Sequence, residues 1–491
     1  MNIRRQSFEL RPDPRRVLLR PFMASVVVNP TGHAEPSRRL LDVLTRVLSL
    51  DDADVNETLE TVLAEFHDRH EDIRAIFLDR FARLAPLLPM DRVLDEPRKL
   101  LIGSYFTNEY SLESSALFNP SIVPAPDQSG LAADELRFIL SLRATGEGHI
   151  SSITFRSGIA TPDGKVRLDP VSKFVHSPRP KPAAQYDLGL FRRKLYEMGI
   201  AHAAAKQATS GLPDSFTMHE LVSRVAGLRR EGAEPEAVRA GERALLLAEA
   251  NYTVRFKEGL DTSEKVIFPF SPLESNGIED ARFVRFTEDN GDIVYYATYT
   301  AYNGSVVFPQ IVETRDFCEF QTSTLNGPAV SNKGFALFPR KVNGLYAMLS
   351  RQDGENIHLM FSDHTHFWHE SKVIIRPSQP WEFTQMGNCG SPIETEAGWL
   401  VLTHGVGPMR KYCIGAALLD REDPSVVIGR LREPLLRPAP DEREGYVPNV
   451  VYTCGALVHD GVLIVPYAVS DTATRFASIA LDELLGALRK G

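Results

Sequence analysis

From about residue 280 to the end of the chain, strand-like segments recur in groups of about four, each group roughly 50 residues long, and that repeat limits the fold to very few shapes. Arg282–Phe286, Ile293–Thr300, Val306–Glu313 and Phe317–Thr322 form one group. Phe335–Phe338, Leu345–Ser350, Ile357–Phe361 and Lys372–Ile375 form the next. Gly398–His404 and Tyr412–Leu419 belong to a further group, and Val450–Leu457, Val462–Ala468 and Phe476–Leu481 to the last. Upstream, Leu136–Ser141 and Ile150–Phe155 read as strands punctuated by Gly and Pro, so residues 100–185 supply one more unit. A repeated unit of this size is that of a propeller, in which ring closure removes exposed sheet edges. The expected fold is an all-β five-bladed β-propeller, whose inner strands surround one axial pocket.

The rest of the chain reads as helical additions. Residues 36–90 carry Leu40, Leu41, Leu44 and Val47, then Leu59, Val62, Leu63 and Phe66, at helical spacing. Pro36 and Ser37 can open the first helix, and Asn56 can cap the second. Leu188–Met198, Met218–Leu228 and Ala237–Asn251 are rich in helix formers and poor in Gly and Pro. The expected organisation is a mostly helical N-terminal extension over 1–99 and a propeller domain over 100–491, with a helical insertion at 185–260 after the first blade. These additions could cover the pocket, extend a subsite or build a homo-oligomer interface.

Composition narrows the class. Acidic residues outnumber basic ones, 64 to 55, so nucleic acid is not an expected partner. The 4 cysteines lack C-x-x-C spacing, which argues against a zinc knuckle and a disulfide framework. No apolar run is long enough to span a membrane, and no apolar leader follows Met1. A cytoplasmic protein is expected. His67 with His70, and His364, His366 and His369, have too few partners to make metal sites, so no metal is expected.

The chemistry-bearing residues lie at the blade edges. Directly before the second blade stands the acidic turn Asn276-Gly277-Ile278-Glu279-Asp280-Ala281-Arg282. Other blades supply Asn119, Arg143, Lys333, Arg340, Arg351, His404, Arg410, Tyr412, Glu444 and Asp471. Asp280 also fits a plain turn residue bonding backbone N–H groups, His404 a satisfied inner-strand histidine, and Lys333 a solvated turn lysine.

The runs Gly277–Arg282, Asn332-Lys333 to Leu337-Phe338-Pro339, Gly398-Trp399-Leu400 to His404-Gly405-Val406, Gly415–Asp420 with Asp423-Pro424, and Pro448-Asn449-Val450-Val451 to Cys454-Gly455 resemble glycoside hydrolase family 130. That family comprises β-mannoside phosphorylases and β-mannosidases on five-bladed propellers. The resemblance runs from about residue 100 to the C-terminus, outside the insertion. It implies inverting phosphorolysis of a β-mannoside to α-mannose 1-phosphate. Asp280 would be the general acid, acting through a sugar hydroxyl. Lys333, His404, Arg410 and Tyr412 would cradle phosphate, and Arg143, Asn276, Glu279, Arg282 and Asp471 would hold the sugar. The partners would be a β-mannoside and inorganic phosphate as co-substrate, with no other cofactor.

Phosphate can attack an anomeric carbon without a second carboxylate, whereas most glycosidases need two. Glu394, Glu396 and Glu444 keep a water-using mannosidase open, since one could serve as its base. A non-catalytic sugar-binding propeller is the third reading. Ala281 stands where the family commonly has Pro. Thr298-Tyr299-Thr300 carries no basic residue where some relatives place an Arg for phosphate.

Overall fold

The recurring strands pair as antiparallel hairpins in a computed structural model that describes residues 1–22, 26–28, 34–88 and 93–489. Parts of the mostly helical extension expected over 1–99 lie outside those residues, at 23–25, 29–33 and 89–92. The chain divides into one unit of Asp13–Glu113 with Ser172–Val175, and another of Met1–Pro12, Ser114–Val171 and His176–Gly491. The division expected between residues 99 and 100 falls inside the helix Glu96–Tyr105.

The smaller unit is built on the helices Arg38–Leu48, Asp52–Phe66, Ile73–Leu84 and Glu96–Tyr105. An antiparallel pair of strands, Val17–Pro21 with Thr107–Ser111, completes it. Ser37 caps the first helix as expected, its side chain accepting from the Leu40 amide. Asp51, not Asn56, caps the second, because the carboxylate one residue outside the helix reaches the Asp54 amide first. His67 bonds the carbonyl of Ala64 and His70 the carboxylate of Glu109, so each ring already has a local partner.

In the larger unit, the first meander is Ala116–Pro124, Leu136–Thr145, Ser151–Ala160 and Val166–Leu168. The second is Gly277–Thr287, Ile293–Tyr302, Val307–Thr314 and Glu319–Thr324, extended by Tyr252–Arg255. Lys333–Leu337, Tyr346–Arg351, Ile357–Ser362 and Lys372–Ile375 make a separate four-stranded sheet. The next sheet adds Gln385–Asn388, Ile393–Thr395 and Val427–Arg430 to the two expected strands. In the last, the N-terminal Arg4–Arg5 pairs with Ala473–Ala480 from the chain's other end.

Hydrogen bonds link each meander to the next. Ser121 Oγ accepts from the Phe283 amide, and Thr298 donates to the Phe335 carbonyl. Asn388 Nδ2 donates to the Gly334 carbonyl and the Tyr412 amide to the Asn449 carbonyl. The last meander returns to the first, with the Cys454 amide on the Pro120 carbonyl and the Leu117 amide on the Thr472 carbonyl.

The insertion comprises Leu188–Glu197, His202–Ala208, Met218–Arg230 and Pro235–Glu249. Its Phe191, Leu195, Leu221 and Leu247 share one apolar core with Phe155, Phe283 and Tyr295 of the first two meanders. Burial against those sheets, rather than helix propensity alone, stabilises these short helices.

A second repeat, a Pro followed two residues later by Glu, adopts one structure at three places. Ser271-Pro272-Leu273-Glu274, Gln379-Pro380-Trp381-Glu382 and Ala439-Pro440-Asp441-Glu442 each form a short turn before an inner strand. Each ends in a fully buried glutamate. Glu274 accepts from the amides of Phe270 and Ser271 and from the hydroxyls of Tyr252 and Tyr299. Glu382 accepts from the amides of Ser378 and Gln379 and from Arg430 at 2.5 Å. Glu442 accepts from the Ala439 amide and the Tyr467 hydroxyl. Proline pre-sets the turn, and the carboxylate satisfies the amides that the turn would leave bare.

Removing one of these carboxylates leaves buried donors and a cation unmatched. Glu382→Ala is expected to lower unfolding free energy by about 3 kcal/mol in denaturant titration, and a loss under ~1 kcal/mol would contradict this role.

Candidate active site

The inner strands bend where single residues take left-handed backbone conformations. Asn119 (φ 49°), Asp280 (φ 54°) and Asn332 (φ 61°) occupy them. The ladder register shifts between Phe118 and Ser121 and between Glu279 and Arg282, and again just after Asn332. Asn and Asp accept this conformation more readily than other side-chain-bearing residues. Bulges re-aim side chains, and here they bring Asn119 and Asp280 together. Asn119 Nδ2 donates to Asp280 Oδ1 at 2.7 Å.

Arg143 reaches the same carboxylate from the first meander. Its Nη1 lies 3.4 Å from Asp280 Oδ1 and its Nη2 2.9 Å from Glu279 Oε1. Lys333 Nζ sits 3.7 Å from the other Glu279 oxygen. Burial opposes ionisation of Asp280, but Arg143, Lys333, Arg282 and the Asn119 amide outweigh it and hold the carboxyl below its usual range. Asp280 thus meets side chains from other meanders, which the turn-residue reading does not require.

Asp471 lies at a hairpin tip with φ 49°. Burial and the neighbouring Asp280 push its carboxyl up to about 6, against the pull of Arg143 and Arg410. Two carboxyls near one another therefore hold protons differently. Asp280 is the anionic one, and Asp471 is the one that takes a proton at mildly acidic pH.

A second group gathers around His404. Arg351 Nη1 lies 3.0 Å from His404 Nε2. A guanidinium can only donate, so that ring nitrogen accepts and His404 is neutral. Burial, with Arg351, Arg282 and Lys333 nearby, drives its pKa well below the ordinary histidine value. The rings of Tyr412 and Tyr452 flank it at 6.2 and 5.0 Å. Arg282 donates to the Tyr452 hydroxyl at 2.8 Å and faces the Phe335 carbonyl at 3.4 Å.

Arg282 and Arg351 are only 5% and 8% exposed. Among the described residues neither forms an ion pair, and the Nε–H of each is buried without a partner, as is that of Arg143. Buried cations are ordinarily paired. Guanidiniums with spare donors suit the binding of an anion.

The remaining candidates divide. Arg410 (φ 53°) carries its guanidinium 5.7 Å from the Tyr412 ring centre, on the loop beside that strand. Asn276 is exposed at the start of the acidic turn, outside the group bonded to Asp280. Arg340 is bound to Glu394 through two hydrogen bonds, at 2.9 and 2.6 Å. Glu394 pairs in register with Trp399 and so stands five residues, about 16 Å, along the strand from His404. Glu396 is exposed in the same turn. Asn119 and Arg351, named in the sequence without a role, prove to be direct neighbours of Asp280 and His404. Tyr452, which sequence reasoning missed, joins them. The signal for Asn119 was its place before Pro120 at a strand bend. Tyr452 gave no signal, being an ordinary strand tyrosine by sequence.

Asp471 binds its proton more tightly folded than unfolded. Its contribution to stability is therefore fully present below about 3.8, the ordinary carboxyl value, and is lost as pH rises through about 6. Asp280→Asn removes the adjacent negative charge and is expected to lower the pKa of Asp471, followed by carboxyl carbon NMR. An unmoved titration would contradict their adjacency.

The family model described as beta-1,4-mannooligosaccharide phosphorylase, of glycoside hydrolase family 130, matches residues 249–490. The 1,2-beta-oligomannan phosphorylase of Thermoanaerobacter sp. (strain X514) is 35% identical over 218 residues, covering 43% of this chain and 71% of that protein. The beta-1,2-mannobiose phosphorylase of Listeria innocua is 33% identical over 234 residues, 45% of this chain and 62% of that one. The beta-1,4-mannooligosaccharide phosphorylase of Ruminococcus albus is 34% identical over 167 residues, 31% of this chain and 50% of that one. The solved structure of the Listeria innocua enzyme with beta-1,2-mannobiose covers 77% of this chain and 93% of its own, at 23% identity and a TM-score of 0.45. The chain belongs to glycoside hydrolase family 130, and with it to the enzymes of glycoside-phosphorylase type.

Proposed function

We propose that this chain is a five-bladed β-propeller that phosphorolyses a β-mannoside with inversion, giving α-mannose 1-phosphate and the released sugar. The observation that carries the reading is the pairing of one ionised carboxylate, Asp280, with a separate group of buried cations whose donors lack partners. The bonds that lead from each meander to the next, and from the last back to the first, support the ring. The relatives named above act on β-1,2- and β-1,4-linked mannosides. Neither linkage is favoured by a residue here.

In this reading a phosphate oxygen attacks the anomeric carbon as the glycosidic C–O bond breaks. The departing oxygen takes a proton that comes from Asp280 through a hydroxyl of the sugar. Inorganic phosphate is the co-substrate, and no resident cofactor takes part. Arg282, Arg351 and Lys333 hold the phosphate. His404 orients Arg351, and Tyr412 and Arg410 close the pocket on that side. Arg143, Glu279 and Asp471 hold the mannosyl unit, with Asn276 at its edge.

The acid must carry a proton, yet the cations around Asp280 favour its ionised form. A phosphate anion beside Lys333 and Arg282 offsets the same charges that depress Asp280, so phosphate binding favours protonation of the acid. Nucleophile and acid are then coupled before chemistry begins. Of the carboxylates weighed as a hydrolytic base, Glu394 is held by Arg340 and Arg421 in a distant turn.

Incubation with β-1,2- and β-1,4-mannobiose should release α-mannose 1-phosphate from at least one of them, and only when phosphate is present. Asp280→Asn is expected to reduce turnover about 1,000-fold. Lys333→Ala and Arg351→Ala should raise the KM for phosphate about tenfold or more while changing that for the sugar little. Free mannose formed equally well without phosphate, or equal rises in both KM values, would overturn the assignment.

A further inference from the structure

Two hairpin tips near the site follow the same backbone path. Gly146-Glu147-Gly148-His149 and Gly407-Pro408-Met409-Arg410 each begin in extended conformation and end in two left-handed residues. Each is closed by an amide of its opening glycine bonded forward, Gly146 to the Ile150 carbonyl and Gly407 to the Lys411 carbonyl. The equivalent positions therefore carry His149 in one meander and Arg410 in the other. Arg410 acts on Asp471, within the site. His149 follows the strand that bears Arg143.

His149 meets Tyr446 from the last meander. The Tyr446 hydroxyl lies 3.2 Å from His149 Nδ1, and the rings are 5.8 Å apart and inclined by 35°. Tyr446 is 55% exposed, yet its backbone is fixed. Its amide donates to Thr472 Oγ1 at 2.8 Å, and the next amide, of Val447, donates to the Ser470 carbonyl at 3.0 Å. The preceding Gly445 packs so closely that an added Cβ would stand 2.6 Å from that carbonyl oxygen. Ser470 and Thr472 flank Asp471, so the hairpin that carries this carboxyl also anchors Tyr446.

An exposed aromatic ring on an immobilised backbone, edged by a second ring, offers a flat apolar face with a polar rim. Such a face suits the C–H surface of a pyranose ring better than it suits an anion. We propose that Tyr446 and His149 form the platform on which the leaving sugar of the β-mannoside stacks, and that they set the preference for that sugar. The inference rests on the phosphorolysis reading for the placement of the scissile bond, because Asp471 and Arg143 hold the mannosyl unit on the inner side.

Two measurements on the full chain test the platform separately from the reaction. Calorimetry with β-1,2- and β-1,4-mannobiose and with mannose gives the advantage of disaccharide over monosaccharide. Tyr446→Ala is expected to reduce that advantage about 5- to 10-fold, Tyr446→Phe to reduce it less, and neither to weaken mannose itself. In synthesis from α-mannose 1-phosphate, Tyr446→Ala and His149→Ala should raise the KM of the acceptor sugar while leaving that of α-mannose 1-phosphate within about twofold. A wild-type protein that binds disaccharide through Tyr446 but makes no phosphorylated product would keep the platform and remove the phosphorolysis reading. An unchanged disaccharide advantage in Tyr446→Ala would overturn the platform whatever the turnover.

Discussion

The site depends on two buried guanidiniums that form no ion pair among the described residues. Arg282 and Arg351, on the strands Gly277–Thr287 and Tyr346–Arg351, are tied to a tyrosine hydroxyl and a neutral imidazole rather than to carboxylates. Burying cations in this way costs stability unless an anion arrives. Most ionised groups in this fold are arranged otherwise. Arg340 binds Glu394, Arg430 binds Glu382, and Arg16 is paired with Glu113 in the smaller unit. Among the described residues Arg282 and Arg351 depart from that pattern.

His404 accepts from Arg351 through Nε2, fixes the direction of that guanidinium and stays uncharged while doing so. Asp280 and Asp471 illustrate the same economy of environment. The two carboxyls influence each other, but cations dominate around one and burial around the other, so their proton affinities separate.

Much of the architecture was legible in the sequence because strand spacing and apolar runs are local signals. Ile293–Tyr302, Lys372–Ile375 and Tyr412–Leu419 stand within two residues of where the pattern placed them. The short strands Gln385–Asn388 and Ile393–Thr395 escaped it, since a run broken by Gly and Pro gives no period. Residues 100–113 read as part of the first blade but contribute part of a helix and a strand to the smaller unit. The turn glutamates Glu274, Glu382 and Glu442 were overlooked because an acidic residue after Pro reads as solvated. Within the site, Asp280 and Arg143 could be named from sequence, and their contact could not. The bulges that turn Asn119 and Asp280 toward each other depend on register, which only the paired strands define.

The most direct test of the anion-binding centre is the equilibrium affinity of the protein for inorganic phosphate, measured by calorimetry without sugar. Phosphate should bind the wild-type chain and release part of the strain of two unpaired buried cations. Arg351→Gln, which retains polarity but removes the charge, should weaken that binding at least tenfold while leaving the thermal unfolding midpoint equal or higher. Unaltered phosphate affinity in Arg351→Gln would contradict the account.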